Sequence, residues 1–153
     1  NVGVDGSTRR SIDMEVTNTS FYRPWKIERN GLNGQFAQIN LDAPKDDSGE
    51  QLNAVHLMIR FLDSETALPV ELLRFRLSFF DFDEGVEQRA RECFSTRAFS
   101  QIKLGEETQL EEFADPTNAN FTVYCSTQYG VLDDNPTSPF ALTGHQKSKA
   151  VEV

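Results

Sequence analysis

Five acidic side chains fall within one short stretch: Asp81, Asp83, Glu84, Glu87 and Glu92. Alternating Asp residues on a tight loop can deliver several oxygens to one point, as a hard cation such as Ca2+ requires. Gly85 sits where that loop would turn. Counted from Asp81, Glu92 occupies position 12, as in an EF-hand, but Gly85 stands at position 5 instead of 6, which rules out a standard one. The expected calcium ligands are Asp81, Asp83, Glu84 and Glu87. A structural reading competes with this one: Asp81 and Asp83 cap the end of a strand and the start of a helix.

Other chemistries find less support. His56 and His145 are the only histidines, and no Gly-x-Ser-x-Gly elbow is present, so a hydrolytic triad is not expected. Asp81 and Asp83 could imitate the carboxylate pair of a glycosidase, but no sugar-binding cleft is legible beside them. Cys and His offer no metal ligand set. The chain therefore reads as a non-enzyme. Phe21, Tyr22, Trp25 and Tyr129 could stack on sugar rings, although a lone Trp more often fills a core.

Cys93 and Cys125 would form one disulfide in a secreted chain, or remain two buried thiols in a cytosolic one. Two sequons, Asn18-Thr19-Ser20 and Asn120-Phe121-Thr122, favour the secreted case and predict N-linked glycans on Asn18 and Asn120. The Asn1 start reads as the product of signal-peptide removal. An extracellular or cell-surface location is expected.

Charge narrows the partners. Among 153 residues, 24 are acidic and 15 basic, a net of −9, which disfavours nucleic acid because phosphate binding needs a basic surface. No apolar run approaches the roughly 20 residues that span a bilayer. Twelve Phe supply large buried area to a chain whose hydrophobic share is only 38%.

The elements that must position the acids follow from periodicity. Over residues 72–85, Leu73, Phe75, Leu77 and Phe79 alternate with Arg74, Arg76 and Ser78, which predicts a central strand with one buried face. After Phe79 the parity breaks and the acids begin. Ile12, Met14 and Val16 predict another strand, as do residues 36–41, Val55, Leu57, Ile59 and Phe61, residues 99–104, and Phe121, Val123 and Cys125. Asn30-Gly31 and Asn33-Gly34 are hairpin-turn dipeptides. One short helix is expected over residues 84–95, where Val86, Ala90, Cys93 and Phe94 recur at helical spacing. Residues 42–51 and 130–144 read as loops, and residues 149–153 open a last strand with Val151 and Val153 on one parity. Seven or eight short strands with little helix predict an all-β fold, an antiparallel β-sandwich of jelly-roll or Ig-like type. Residues 11–153 form its single domain, and residues 1–10 an N-terminal arm.

The stretch Phe79-Phe80-Asp81-Phe82-Asp83, with the Asp134-Asn135-Pro136 loop and the strand after it, resembles secreted β-sandwich surface modules of aquatic micro-organisms, of algal or oomycete type. It is also similar in character to subunits of their extracellular fibrils. The resemblance covers the central 80 or so residues and brings no catalytic residues with it. It implies a structural extracellular protein that assembles with copies of itself or with a matrix. A calcium-dependent carbohydrate-binding module is the alternative, and a secreted hydrolase the third reading. Assembly is expected by strand addition at the two ends, through Val2, Val4, Val151 and Val153, giving a homo-oligomer or filament.

Overall fold

A computed structural model describes residues 2–6, 8–43, 53–85, 90–97, 99–131 and 133–153. In chain order its strands are β1 (Gly3–Val4), β2 (Ser11–Asn18), β3 (Gly31–Asn33), β4 (Phe36–Gln38), β5 (Leu57–Asp63), β6 (Ser78–Phe79), β7 (Cys93–Arg97), β8 (Lys103–Leu104), β9 (Leu110–Ala114), β10 (Phe121–Ser126) and β11 (Val151–Glu152). One 3-10 turn (Ile27–Arg29) and one short helix, α1 (Gly144–Ser148), interrupt them. The fold is all-β. Its strands form four antiparallel sheets, ordered β1-β2-β5, β7-β10-β9, β6-β11-β8 and β3-β4.

The apolar alternation of the sequence sets the first sheet. Met14 lies opposite Phe61 and Val16 opposite Ile59, so like side chains meet across the β2–β5 pair. At the end of β5 the buried Asp63 accepts from the N–H groups of Glu65 (3.0 Å) and Thr66 (2.9 Å), which closes the turn there. Asn33-Gly34 turns the β3–β4 hairpin as predicted, with Gly34 at φ +59°.

The core lies between the second and third sheets. Phe82, Leu110, Tyr124, Val151 and Val153 are buried together, and Leu77, Phe79, Phe94 and Leu104 pack against them. Phe79 and Phe94 join the two sheets directly, with ring centroids 4.4 Å apart. The two C-terminal valines are thus core residues. β11 lies between β6 and β8, and the N–H and C=O of Val153 exchange hydrogen bonds with Leu77 (2.9 and 3.0 Å). Val151 and Val153 therefore offer no free strand edge for assembly, contrary to expectation. At the other end, Gly3 and Val4 pair with Ile12 and Ser11 of their own chain, leaving the side chains of Val2 and Val4 exposed.

Two further expectations give way. The long central strand is reduced to Ser78 and Phe79; Leu73 is 97% exposed and Phe75 43%. Alternation there is real, but neither edge of that segment is paired for its whole length. The helix expected over residues 84–95 does not form in its described part. Glu84 and Arg91 face each other in an antiparallel bridge, and Cys93 begins β7, opposite Cys125. Register with β10 outweighs a weak local helical spacing. In the other direction, residues 110–114 form β9, which the run of acids in that region had concealed.

Cys93 and Cys125 are disulfide-bonded across β7 and β10, with Cα atoms 4.1 Å apart. Directly opposed residues of an antiparallel pair come this close only at the narrower of its two kinds of site.

Candidate functional site

Lys149 is the centre of the site. It lies two residues before β11, at the C-terminal cap of α1, with a non-extended backbone (φ −107°, ψ 32°). Its burial therefore comes from the turn out of the helix and not from strand alternation. The β6–β11 register places Val151 opposite Phe79, and continuing outward it brings the Lys149 carbonyl to the N–H of Phe82 at 3.4 Å. The lysine is thereby delivered to the acidic end of β6. Its side chain is fully buried.

Three groups receive the ammonium. Lys149 Nζ donates to Asp134 Oδ2 at 2.6 Å, to the Tyr129 carbonyl at 2.8 Å and to Asp83 Oδ1. Asp134, also fully buried, is fixed by its own loop: its Oδ2 accepts from the Val131 N–H at 2.8 Å and its Oδ1 from Asn135 Nδ2 at 3.3 Å. The strand-like path after β10 runs beside Glu84, whose N–H donates to the Gln128 carbonyl (2.9 Å). That alignment sets Gly130 against Asp83: a Cβ at position 130 would come within 2.8 Å of Asp83 Cγ.

Asp81 completes the cluster. Oxygens of Asp81, Asp83 and Asp134 all lie within 4.8 Å of one another. Asp81 adopts φ +70°, a left-handed conformation that Asp tolerates better than most residues. This single reversal breaks the strand alternation, and it accounts for Phe79 and Phe82 sharing one core while Phe80 reaches Phe36 instead (5.8 Å, edge-on). Asp81 Oδ1 is buried with no hydrogen-bond partner among the described residues. Glu92 reaches the same end of the cluster, its Oε2 accepting from the Asp83 N–H at 3.2 Å.

Electrostatics divide these acids. Burial raises the pKa of Asp81 to about 6, reinforced by the charges of Asp83 and Asp134 and opposed by Lys149. Burial likewise raises Glu92 to about 7, against the Asp83 N–H and with the repulsion of Asp81 and Asp83. Asp83 is raised by burial, which outweighs its contact with Lys149. Asp134 moves the other way: burial disfavours its charge, but Lys149 and the Val131 N–H more than offset it. Burial also works against the Lys149 ammonium, and Asp134 and Asp83 overcome it, holding the proton on. The group is thus a fully buried ion pair flanked by acids that retain protons more readily than usual.

Of the expected calcium ligands, the fold brings Asp81 and Asp83 together. Glu84 pairs instead with Arg91 (3.5 Å), and Glu87 lies outside the described residues. Asp134 and Lys149 were not expected at this site. The lysine carries no local signal, because the turn from α1 into β11 and not a strand pattern places it. The aromatic set is dispersed: Phe21 is 92% exposed, Tyr22 receives a hydrogen bond from Asn30, and the Trp25 ring carries Lys26 Nζ 4.3 Å from its centroid. Asn18 and Asn120 are both exposed, as glycan acceptors must be. No helix among the described residues is long and apolar enough to cross a membrane. Comparison with protein-family models, with curated proteins and with solved structures finds no match.

Proposed function

We propose that this chain is a secreted structural module, a β-sandwich that assembles with copies of itself through its faces. One observation carries the reading: Phe21, Ile27, Leu32, Leu73 and Phe140 are each at least 71% exposed. Single exposed apolar side chains are ordinary, but five large ones held this far out point to surfaces that a partner covers. β11 is paired on both sides, so its edges are not available for such a contact, and the exposed apolar faces supply it instead. The cross-strand disulfide and the two exposed sequons support an extracellular setting, as does the resemblance of the Phe79-Phe80-Asp81-Phe82-Asp83 stretch to secreted surface modules.

Light scattering across a concentration series tests the proposal. The wild type is expected to associate as concentration rises, and Phe21→Ser/Leu32→Asp to remain monomeric with an unchanged melting temperature. A wild type that stays monomeric throughout overturns assembly. If that monomer is also retained on glycan arrays only when calcium is present, the carbohydrate-binding reading replaces it.

A further inference from the structure

We propose that Lys149 and Asp134 condense to an intramolecular isopeptide bond once the domain has folded, with Asp83 as the proton carrier. The inference does not depend on the assembly reading. It starts from an unusual expense: an ammonium and a carboxylate, each with a side chain 0% exposed, lie 2.6 Å apart in the interior. Burying two ions costs several kcal/mol each, and their attraction repays this only while close geometry and further hydrogen bonds are kept. Condensation removes both charges at once and keeps the two segments joined.

The geometry supplies what the reaction needs. Lys149 Nζ is held against Asp134 on one side, and its donation to the Tyr129 carbonyl fixes the direction of the amine. Reacting groups fixed like this behave as though present at about 10⁵–10⁸ M, enough to drive a condensation that fails between separate molecules in water. Asp83 contacts Nζ as well, and it keeps its proton more readily than Asp134 does. Asp134 is fully enclosed and held by the Val131 N–H and Asn135 Nδ2, whereas the Asp83 side chain is partly exposed, so the two acids have different tasks. Asp83 takes a proton from Nζ and returns it to a departing Asp134 oxygen, while Asp134 supplies the carbon that is attacked.

The atoms balance without an added reagent. Asp83 first takes one proton from the Lys149 ammonium and passes it to an Asp134 oxygen. The Nζ lone pair so freed attacks Cγ of Asp134, and a C–N bond forms. Asp83 relays the second proton to the same oxygen, and that Cγ–O bond breaks. Two protons leave Nζ and depart on that oxygen as water; nothing is oxidised or reduced. Each Asp134 oxygen has its own donor, Oδ2 the Val131 N–H and Oδ1 Asn135 Nδ2, so negative charge on the oxygen that stays is met by one of them.

Mass spectrometry of the folded, then denatured and reduced, wild-type chain decides the matter. The expected intact mass is one water below that of the sequence, and a peptide map should recover the segments containing Lys149 and Asp134 as one branched species. Lys149→Arg keeps the charge but should show the full mass. Asp134→Asn should release ammonia in place of water and reach the same final product. A wild type of full mass, incubated folded until no further change occurs, overturns the proposal. A branched species joined through Asp83 overturns the assignment to Asp134.

Discussion

Lys149 Nζ lies 2.6 Å from Asp134 Oδ2, and neither side chain reaches solvent. The lysine comes from the turn between α1 and β11, and the aspartate from a loop that closes on its own backbone. Removing one partner leaves the other as a lone buried charge. Compared with the wild type before condensation, Lys149→Met is therefore expected to destabilise the fold by at least about 3–5 kcal/mol in urea unfolding. Lys149→Met/Asp134→Leu should recover much of that loss, because the orphaned carboxylate is gone too. Equal losses in the single and double variants would mean that the lysine acts through packing alone.

Stability should also fall as pH rises from acid to neutral. Asp81 and Glu92 have folded pKa values of about 6 and about 7, above their ordinary values of 3.8 and 4.5. Between those limits the folded chain binds more protons than the unfolded one, so unfolding free energy decreases with pH. Asp134 and Asp63 have lowered values and act oppositely, losing their contribution as pH drops through the acid range. The denaturant midpoint is expected to peak near pH 4–5 and decline toward pH 7. Asp81→Asn/Glu92→Gln should flatten the decline, and a midpoint that rises over the same interval would contradict this account.

Much of the fold was legible because it is written in alternation. Residues 12–16 and 121–125 proved to be strands, and the two cysteines paired, the alternative expected of a secreted chain. What alternation does not carry is pairing. Residues 72–77 alternate as well as any, yet the chain gives them no continuous neighbour, and Leu73 stands in solvent. The acids of β9 hid a strand whose charged side chains Glu111 and Glu112 are exposed. The site was half visible. Asp81 and Asp83 announced themselves by spacing, but Asp134 and Lys149 reach them only through the antiparallel β6–β11 register and the path after β10. Such meetings are set by topology, to which a local pattern is blind.

The disulfide should contribute through the unfolded chain. Cys93 and Cys125 are 32 residues apart, and tying that loop removes conformational entropy worth about 2–4 kcal/mol if the entropic account holds. Cys93→Ser/Cys125→Ser is expected to lower unfolding free energy by that amount without altering the mass signature at Lys149, since the two links lie in different segments. Loss of both together would show that β7–β10 pairing must be fastened before the lysine site can form.

Two glycines separate the site from its scaffold. A Cβ on Gly105 would meet backbone, the carbonyl carbon of Lys147 at 3.0 Å, and backbone there cannot yield without shifting the segment that leads into β11. A Cβ on Gly130 would meet the Asp83 side chain, Cγ at 2.8 Å and Cβ at 3.3 Å, and the carboxylate there can rotate away. Gly105→Ala is therefore expected to destabilise the fold by about 1–3 kcal/mol, in the range of other overpacked sites. Gly130→Ala should cost less stability but displace Asp83 from Lys149, slowing water loss in the time course of intact mass while the melting curve stays close to wild type. Should Gly130→Ala instead reach the same mass at the wild-type rate, Asp83 is not the group that carries the proton.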